Sequence, residues 1–195
     1  MNYVKYYDLE QYLFRNVRMA FHRDGFLSAF DFFCIVIWKA NRAKSTVAHR
    51  LMNMGRGDLN ETVCALTEEL YGQPTRADRL RLLWAPEEWG FRLPMASAIL
   101  AVLYPSDFTI YDTRVCDSLG GRFSDLADMS RFEKLWPAYL EYMAAVEASA
   151  PTPLSLRDKD RYLWGKSFYN QLQREVKTGF AKATLTTSGT GVVTG

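Results

Sequence analysis

The sequence predicts an all-α protein with about eight to ten helices. Apolar side chains recur at helical spacing along most of the 195 residues. Only residues 108–111 alternate weakly between apolar and polar, and that stretch has the length of a connector, so no sheet is expected. Hydrophobic residues make up 48% of the chain, which is enough for one buried core. We expect a single helical domain over residues 1–180 and a flexible tail rich in Thr, Gly and Ser over residues 181–195.

Capping residues mark the helices in the middle of the chain. Asp58 or Asn60 predicts the start of one helix, and Thr75 predicts the start of the next. Pro94 suits the first turn of a helix that continues to about Leu103. Because this helix is apolar on nearly every side, we expect it at the centre of the fold.

The second half of the chain carries three more helix patterns. A helical stretch over residues 113–119 follows a short linker and ends at Gly120. The clearest apolar stripe covers residues 127–146. Ser155 predicts the start of a helix that continues to about Val176.

Charge divides the chain into three parts. Residues 1–60 carry a net charge of +4, residues 61–150 carry −6, and residues 151–195 carry +4. If the two basic ends meet in the fold, they form a basic face that attracts polyanions. The alternative is the ordinary charge of solvated helix surfaces.

Several classes of protein are disfavoured by what the sequence contains. Cys34, Cys64 and Cys116 are far apart and odd in number, which predicts reduced thiols in a cytoplasmic protein. Two histidines and three scattered cysteines predict no zinc site and no iron–sulfur cofactor. The longest nearly apolar run, residues 95–104, is shorter than the roughly 20 residues of a membrane-spanning helix, and we expect no secretory signal.

The most informative carboxylate is Asp112, which stands where a short linker passes into a helix. A carboxylate at this position accepts backbone N–H bonds and is stabilised by the helix dipole. The residues alone therefore leave two interpretations of Asp112. It is either a helix cap only, or a rigidly held anionic group that takes part in chemistry.

The order of these features resembles the helix–hairpin–helix superfamily of DNA base-excision glycosylases, over about residues 28–175. Gly90 matches the first glycine of the family's hairpin, and Met95-Ala96 matches the start of the buried helix behind it. Asp112 matches the catalytic aspartate. The overall pattern is closest to small bacterial proteins with an 8-oxoguanine-glycosylase fold.

The resemblance also implies a base pocket. In the 8-oxoguanine branch, an aromatic residue of a late helix stacks on the extruded base, and a polar residue one turn earlier contacts the base edge. Those places fall on Trp164 and Asp160. An early stretch, residues 32–44, looks like the wall that faces them and offers Trp38 and Asn41. The alternatives are core packing for Trp164 and a solvated helix surface for Asp160.

The resemblance further implies contacts with DNA, although the hairpin departs from the family pattern. Arg92 replaces the hairpin's second glycine, and Pro94 stands where some members place a lysine that attacks the sugar. The implied chemistry is therefore monofunctional, with water as the nucleophile. The residues expected to contact DNA are Lys39, Arg42, Lys44, Gly90, Arg92, Arg114 and Lys166. Simple surface charge is the alternative for the lysines and arginines in the segment 39–44.

Three functions are consistent with the sequence. The expected one is a monomeric DNA N-glycosylase, without cofactor or metal, that removes a modified or damaged guanine-like base. The second is a nucleosidase that acts on a free modified nucleotide. The third is a catalytically silent binding or interaction module with the same fold.

Overall fold

A computed structural model describes residues 3–55 and 57–180, and these residues are helical with no strand. The predicted all-α class is confirmed, and the number of helices lies within the predicted range. The α-helices are α1 (Leu9–Tyr12), α2 (Arg18–Asp24), α3 (Ala29–Ala40), α4 (Lys44–Asn53), α5 (Leu59–Tyr71), α6 (Arg76–Trp84), α7 (Leu93–Leu103), α8 (Thr113–Ser118), α9 (Phe132–Ser149) and α10 (Leu156–Lys177). A π-helical turn, Leu13–Val17, joins α1 to α2. The expected tail, residues 181–195, lies outside the described residues.

The predicted helix starts are confirmed where a side chain caps the helix. Asp58 accepts a hydrogen bond from the backbone of Glu61 at 2.8 Å, and the Glu61 carboxylate accepts one from the backbone of Asp58 at 2.9 Å. Thr75 and Ser155 cap α6 and α10 in the same way, each through its hydroxyl oxygen. These interactions are local, which is why the sequence predicts them well.

One predicted boundary is wrong. The apolar stripe over residues 127–146 suggested a continuous helix, but α9 begins only at Phe132. The preceding residues, Ser124–Asp128, form a 3-10 turn, and Met129 and Arg131 are extended. Because extended backbone cannot make the hydrogen bonds of a helix, α9 starts after Arg131.

Helix α7 lies at the centre of the fold, as predicted. All of its residues are buried except Pro94, and it packs against α3 and α6. The small side chains of Ala96, Ser97 and Ala98 allow these neighbours to approach closely. Although α7 is the most apolar helix, none of the helices in the described part of the chain combines the length and apolarity needed to cross a membrane.

The linker between α7 and α8 begins with a turn at residues 105–107 and then continues without regular secondary structure to Asp112, held by side chains from the core. The backbone N–H of Tyr111 donates to Oγ of Ser97 at 2.9 Å, and Oη of Tyr142 donates to the carbonyl of Ile110 at 2.7 Å. A buried segment outside a sheet needs such partners because its own backbone offers none. Asp112, the next residue, therefore starts α8 from a fixed position.

The segment between α6 and α7, residues 85–92, contains a turn over residues 86–89 and occupies the place of the expected hairpin. Trp89 is fully buried, and its indole N–H donates to Glu69 at 2.9 Å. Gly90 has φ +57°, a left-handed conformation that favours glycine. A Cβ atom at Gly90 would also collide with the guanidinium of Arg50. The hairpin backbone at Gly90 is therefore covered by the Arg50 side chain.

Candidate functional site

A cavity of about 450 Å³ opens beside the start of α8, within the size range of small-molecule sites. Residues of α1, α3, α8 and α10 meet around it. Its walls are Glu10, Trp38, Lys39, Ile110, Asp112, Thr113, Arg114, Arg157, Asp160, Arg161 and Trp164. The basic N-terminal and C-terminal parts of the chain thus meet at one place. Both contribute charged side chains to the same cavity.

Asp112 makes a defined contact with each carboxylate oxygen. Oδ1 accepts the backbone N–H of Arg114 at 3.0 Å and caps α8, while Oδ2 accepts from Nζ of Lys39 at 2.7 Å. The Asp112 side chain is 25% exposed and the Lys39 side chain is 13% exposed. Both oxygens of the carboxylate are thus held by hydrogen-bond donors, one from a backbone amide and one from an ammonium group. Capping and an anionic role in chemistry are therefore compatible at Asp112.

Asp160 lies deep in the cavity wall and is only 3% exposed, so the alternative of a solvated helix residue is wrong. Burial raises its pKa to about 6, and the nearby charge of Asp112 acts in the same direction. Arg157 and Lys39 oppose this rise because their positive charges stabilise the carboxylate. At neutral pH the cavity thus holds a second ionised acceptor in a drier environment.

Arg157, for which no role is predicted from the sequence, organises this part of the cavity. Its guanidinium is ion-paired with both Asp160 and Glu10. It also lies 4.8 Å from the ring centroid of Phe14 and 5.4 Å from that of Trp38. The Arg157–Asp160 spacing of three residues is a recognisable helical pair. The partners Glu10 and Phe14 lie too far away in the sequence to be inferred.

An exposed aromatic pair stands at the mouth of the cavity. The rings of Trp164 and Phe168 are stacked, with centroids 5.6 Å apart and planes inclined by 11°. The Arg114 guanidinium lies 5.2 Å from the first ring and 5.6 Å from the second, and it donates to Gln171 at 2.7 Å. Trp164 is 42% exposed, so the core-packing alternative for it is wrong. No carboxylate in the described residues lies within ion-pair distance of Arg114.

The remaining candidates from α3 and the loop after it lie outside the cavity wall. Asn41 and Lys44 are exposed and bonded to each other at 2.9 Å. Arg42 is exposed in the same 3-10 turn, Asn41–Ala43. Lys39 therefore lines the cavity while these three residues do not, because α3 ends at Ala40, between Lys39 and Asn41.

The other basic candidates occupy two further places. Arg92 lies on the hairpin, exposed and 3.4 Å from the carboxylate of Asp128. Lys166 lines a second, open cavity of about 800 Å³ between α8 and α10. Gln171, which accepts a hydrogen bond from Arg114 beside the Trp164–Phe168 pair, also contributes to the wall of this second cavity.

The cysteines take no part in the cavity. Cys34 and Cys116 are buried, Cys64 is half-buried, and all three are free thiols. Burial raises the pKa of each, that of Cys34 to about 11, so the unreactive thiol form dominates at neutral pH. In residues 3–55 and 57–180, no three His, Cys, Asp or Glu side chains are grouped closely enough to hold a metal ion.

The cavity as a whole combines an anionic group near its entrance, a buried acceptor and a flat aromatic face. This combination suits a planar ring attached to an atom that becomes positively charged during reaction. Comparison with known proteins found no matching family model, curated protein or solved structure.

Proposed function

We propose that this chain is a monofunctional DNA N-glycosylase that hydrolyses the bond between a modified, guanine-like base and its deoxyribose. The observation that carries this proposal is the meeting of Asp112, Asp160 and Trp164 around one cavity of about 450 Å³. An enzyme that acts on a base in DNA must take that base out of the stack and enclose it. The cavity has the size and the chemical groups for this task.

Residues of α10 and α3 recognise the base. The face of Trp164 stacks on the extruded base, and Trp38 lies in the facing wall. Asp160, ionised above its pKa of about 6, accepts hydrogen bonds from the N1–H and the 2-amino group of a guanine-like edge. Arg114, beside Asp112 and without a carboxylate partner in the described residues, contacts a phosphate of the same strand.

Asp112 performs the chemical step. As the bond between C1′ and the base breaks, its electron pair leaves with the base, and positive charge develops on the sugar. The Asp112 carboxylate stabilises that charge and accepts a proton from the attacking water, whose oxygen bonds to C1′. The proton passes on to the departing base. In balance, one water is consumed, and a free base and an abasic sugar are formed.

Lys39 supports Asp112 and does not attack the sugar itself. Its ammonium is held at 2.7 Å from the carboxylate, and a protonated amine has no electron pair for nucleophilic attack. Pro94, at the position of the lysine in bifunctional glycosylases, has no amine either. Water is therefore the nucleophile in this proposal.

The arrangement of the helices supports a glycosylase of the helix–hairpin–helix type. The segment in the place of the hairpin, residues 85–92, the buried helix α7, a linker and the capping Asp112 follow one another in the expected order. The hairpin itself differs, since Arg50 covers Gly90 and Asp128 lies beside Arg92. The proposal therefore assigns the main DNA contacts to the rim of the cavity.

Mass spectrometry of released bases tests the proposal. The purified chain is incubated with DNA that carries a panel of modified bases, and separately with the corresponding free nucleotides, at low and high salt. Release from DNA that weakens with salt is the expected result. Release from free nucleotides alone, insensitive to salt, would replace the proposal with a nucleosidase. No release from either, by a folded protein, would leave a catalytically silent module.

A further inference from the structure

The stacked rings of Trp164 and Phe168 extend beyond the space that a single base needs. Trp164 belongs to the wall of the first cavity, whereas Phe168 lies one helical turn further along α10 and outside that wall. Both side chains are largely open to solvent, at 42% and 44% exposure. A base in the first cavity occupies one side of this pair, which leaves the Phe168 ring accessible to a second planar group.

The second cavity lies along the C-terminal half of the same helix, α10. Residues Lys166, Asn170 and Arg174 of α10 face the turn at Gly120-Gly121 across a space of about 800 Å³. The cations and the amide of α10 are the groups suited to a sugar–phosphate backbone, while Asp117 and Glu175 add two carboxylates to the same wall. Ten residues of α10 separate Trp164 from Arg174, which corresponds to about 15 Å along the helix and exceeds the length of one nucleotide step.

The charge of this part of α10 suits a polyanion. Residues 161–177 contain four cations, Arg161, Lys166, Arg174 and Lys177, against the single carboxylate of Glu175. All four cations are exposed. Glu175 itself accepts a hydrogen bond from Gln171 at 2.7 Å, the residue that holds Arg114 beside the rings. Exposed aromatic rings combined with cations are the usual platform for unpaired nucleotides.

Resting on the proposed function, we infer that the substrate is single-stranded DNA, in which the target base enters the first cavity and a neighbouring unpaired base stacks on Phe168. Bases within a duplex are already stacked on both sides and cannot reach this ring. A free nucleotide has no second base to offer. The sugar–phosphate backbone beyond the stacked base follows the second cavity, beside Lys166 and Arg174.

Binding of unmodified DNA tests this inference independently of catalysis. Fluorescence anisotropy measures the affinity for a labelled oligothymidylate of roughly 12 nucleotides, a typical length for such platforms, and for a duplex of the same length. The single strand is expected to bind more tightly. Phe168→Leu keeps an apolar side chain but removes the ring, and it should weaken single-strand binding about five- to a hundredfold. Phe168→Trp should retain the wild-type affinity.

Tyr162→Leu is the matched control. Tyr162 is 45% exposed on the same helix, but it lines neither cavity, so its loss should change the affinity less than twofold. Equal or tighter binding of the duplex, or unchanged affinity in Phe168→Leu, would overturn the inference. If base release occurs while Phe168→Leu binds normally, the glycosylase proposal survives and this inference fails. If ring-dependent single-strand binding occurs without base release, single-strand binding is supported and the glycosylase proposal fails.

Discussion

The ammonium nitrogen of Lys39 lies 2.7 Å from Oδ2 of Asp112, although the two residues are 73 positions apart in the sequence. This contact joins the last turn of α3 to the start of α8 at the entrance of the cavity. Because both side chains are mostly shielded from solvent, their attraction is stronger than that of an ion pair on an open surface. Lys39 therefore fixes the orientation of the Asp112 carboxylate.

Replacing Lys39 with methionine should slow base release about tenfold or more. Methionine has a comparable length but no charge, so the carboxylate loses the cation that holds it. The measurement is the single-turnover rate of base release on a substrate identified by mass spectrometry. Lys44→Met is the control, because Lys44 is exposed and bonds Asn41 outside the cavity. An unchanged rate in folded Lys39→Met would contradict the role given to this ion pair.

Borohydride reduction should trap no covalent adduct between the protein and its DNA substrate. The amine nearest to Asp112 is protonated in the ion pair, and Pro94 offers none. Gel electrophoresis and mass spectrometry of the reduced reaction mixture make the measurement. An adduct that disappears in Lys39→Met would show instead that Lys39 attacks the sugar.

The pKa of Asp160 predicts a pH dependence of substrate binding. Burial raises this pKa to about 6, so the carboxylate is ionised at pH 7.5 and largely protonated at pH 5. As the ionised form accepts two hydrogen bonds from the base edge, affinity should fall as the pH decreases through 6. The dissociation constant, measured on Asp112→Asn to prevent turnover, provides the readout.

Asp160→Asn is the informative variant for this pH dependence. The amide does not titrate, so binding by the double variant Asp112→Asn, Asp160→Asn should be weaker at pH 7.5 and nearly independent of pH between 5 and 7.5. The same pH dependence with and without Asp160 would assign it to another group and remove Asp160 from base recognition.

The fixed position of the linker before Asp112 depends on Ser97. Its hydroxyl oxygen accepts the buried N–H of Tyr111, and Ser97→Ala leaves that donor without a partner. The expected loss is about 1–3 kcal/mol in the free energy of unfolding, measured by urea denaturation. Ser106→Ala, at an exposed position, should change the free energy by less than about 0.5 kcal/mol. Equal effects of the two substitutions would show that the hydrogen bond contributes little.

Local signals in the sequence predict much of the fold. The caps at Asp58, Thr75 and Ser155 each involve residues within one helical turn, so residue type and spacing are sufficient to find them. The central place of α7 follows from its composition alone. The predicted start of α9 is wrong because a 3-10 turn can carry an apolar pattern that looks like part of the next helix.

The candidate site was only partly predictable. The resemblance to helix–hairpin–helix glycosylases implies roles for Asp112, Asp160 and Trp164, and all three line one cavity. The ion pair with Lys39 was not predicted, although Lys39 had been assigned to phosphate contact. Arg157 was missed, because its partners come from the opposite end of the chain. Contacts between distant segments leave no spacing pattern in a single sequence.

Base release by Asp112→Asn and by Asp58→Asn distinguishes a catalytic Asp112 from a capping residue. Both replace an aspartate that caps a helix, and asparagine caps nearly as well. Asp112→Asn also loses the ion pair with Lys39, so urea denaturation first verifies that both variants are folded. We expect base release from modified DNA to fall at least about a hundredfold in Asp112→Asn and to remain near wild type in Asp58→Asn. Wild-type rates in both variants would contradict the account, because Asp112 would then be a helix cap and nothing more.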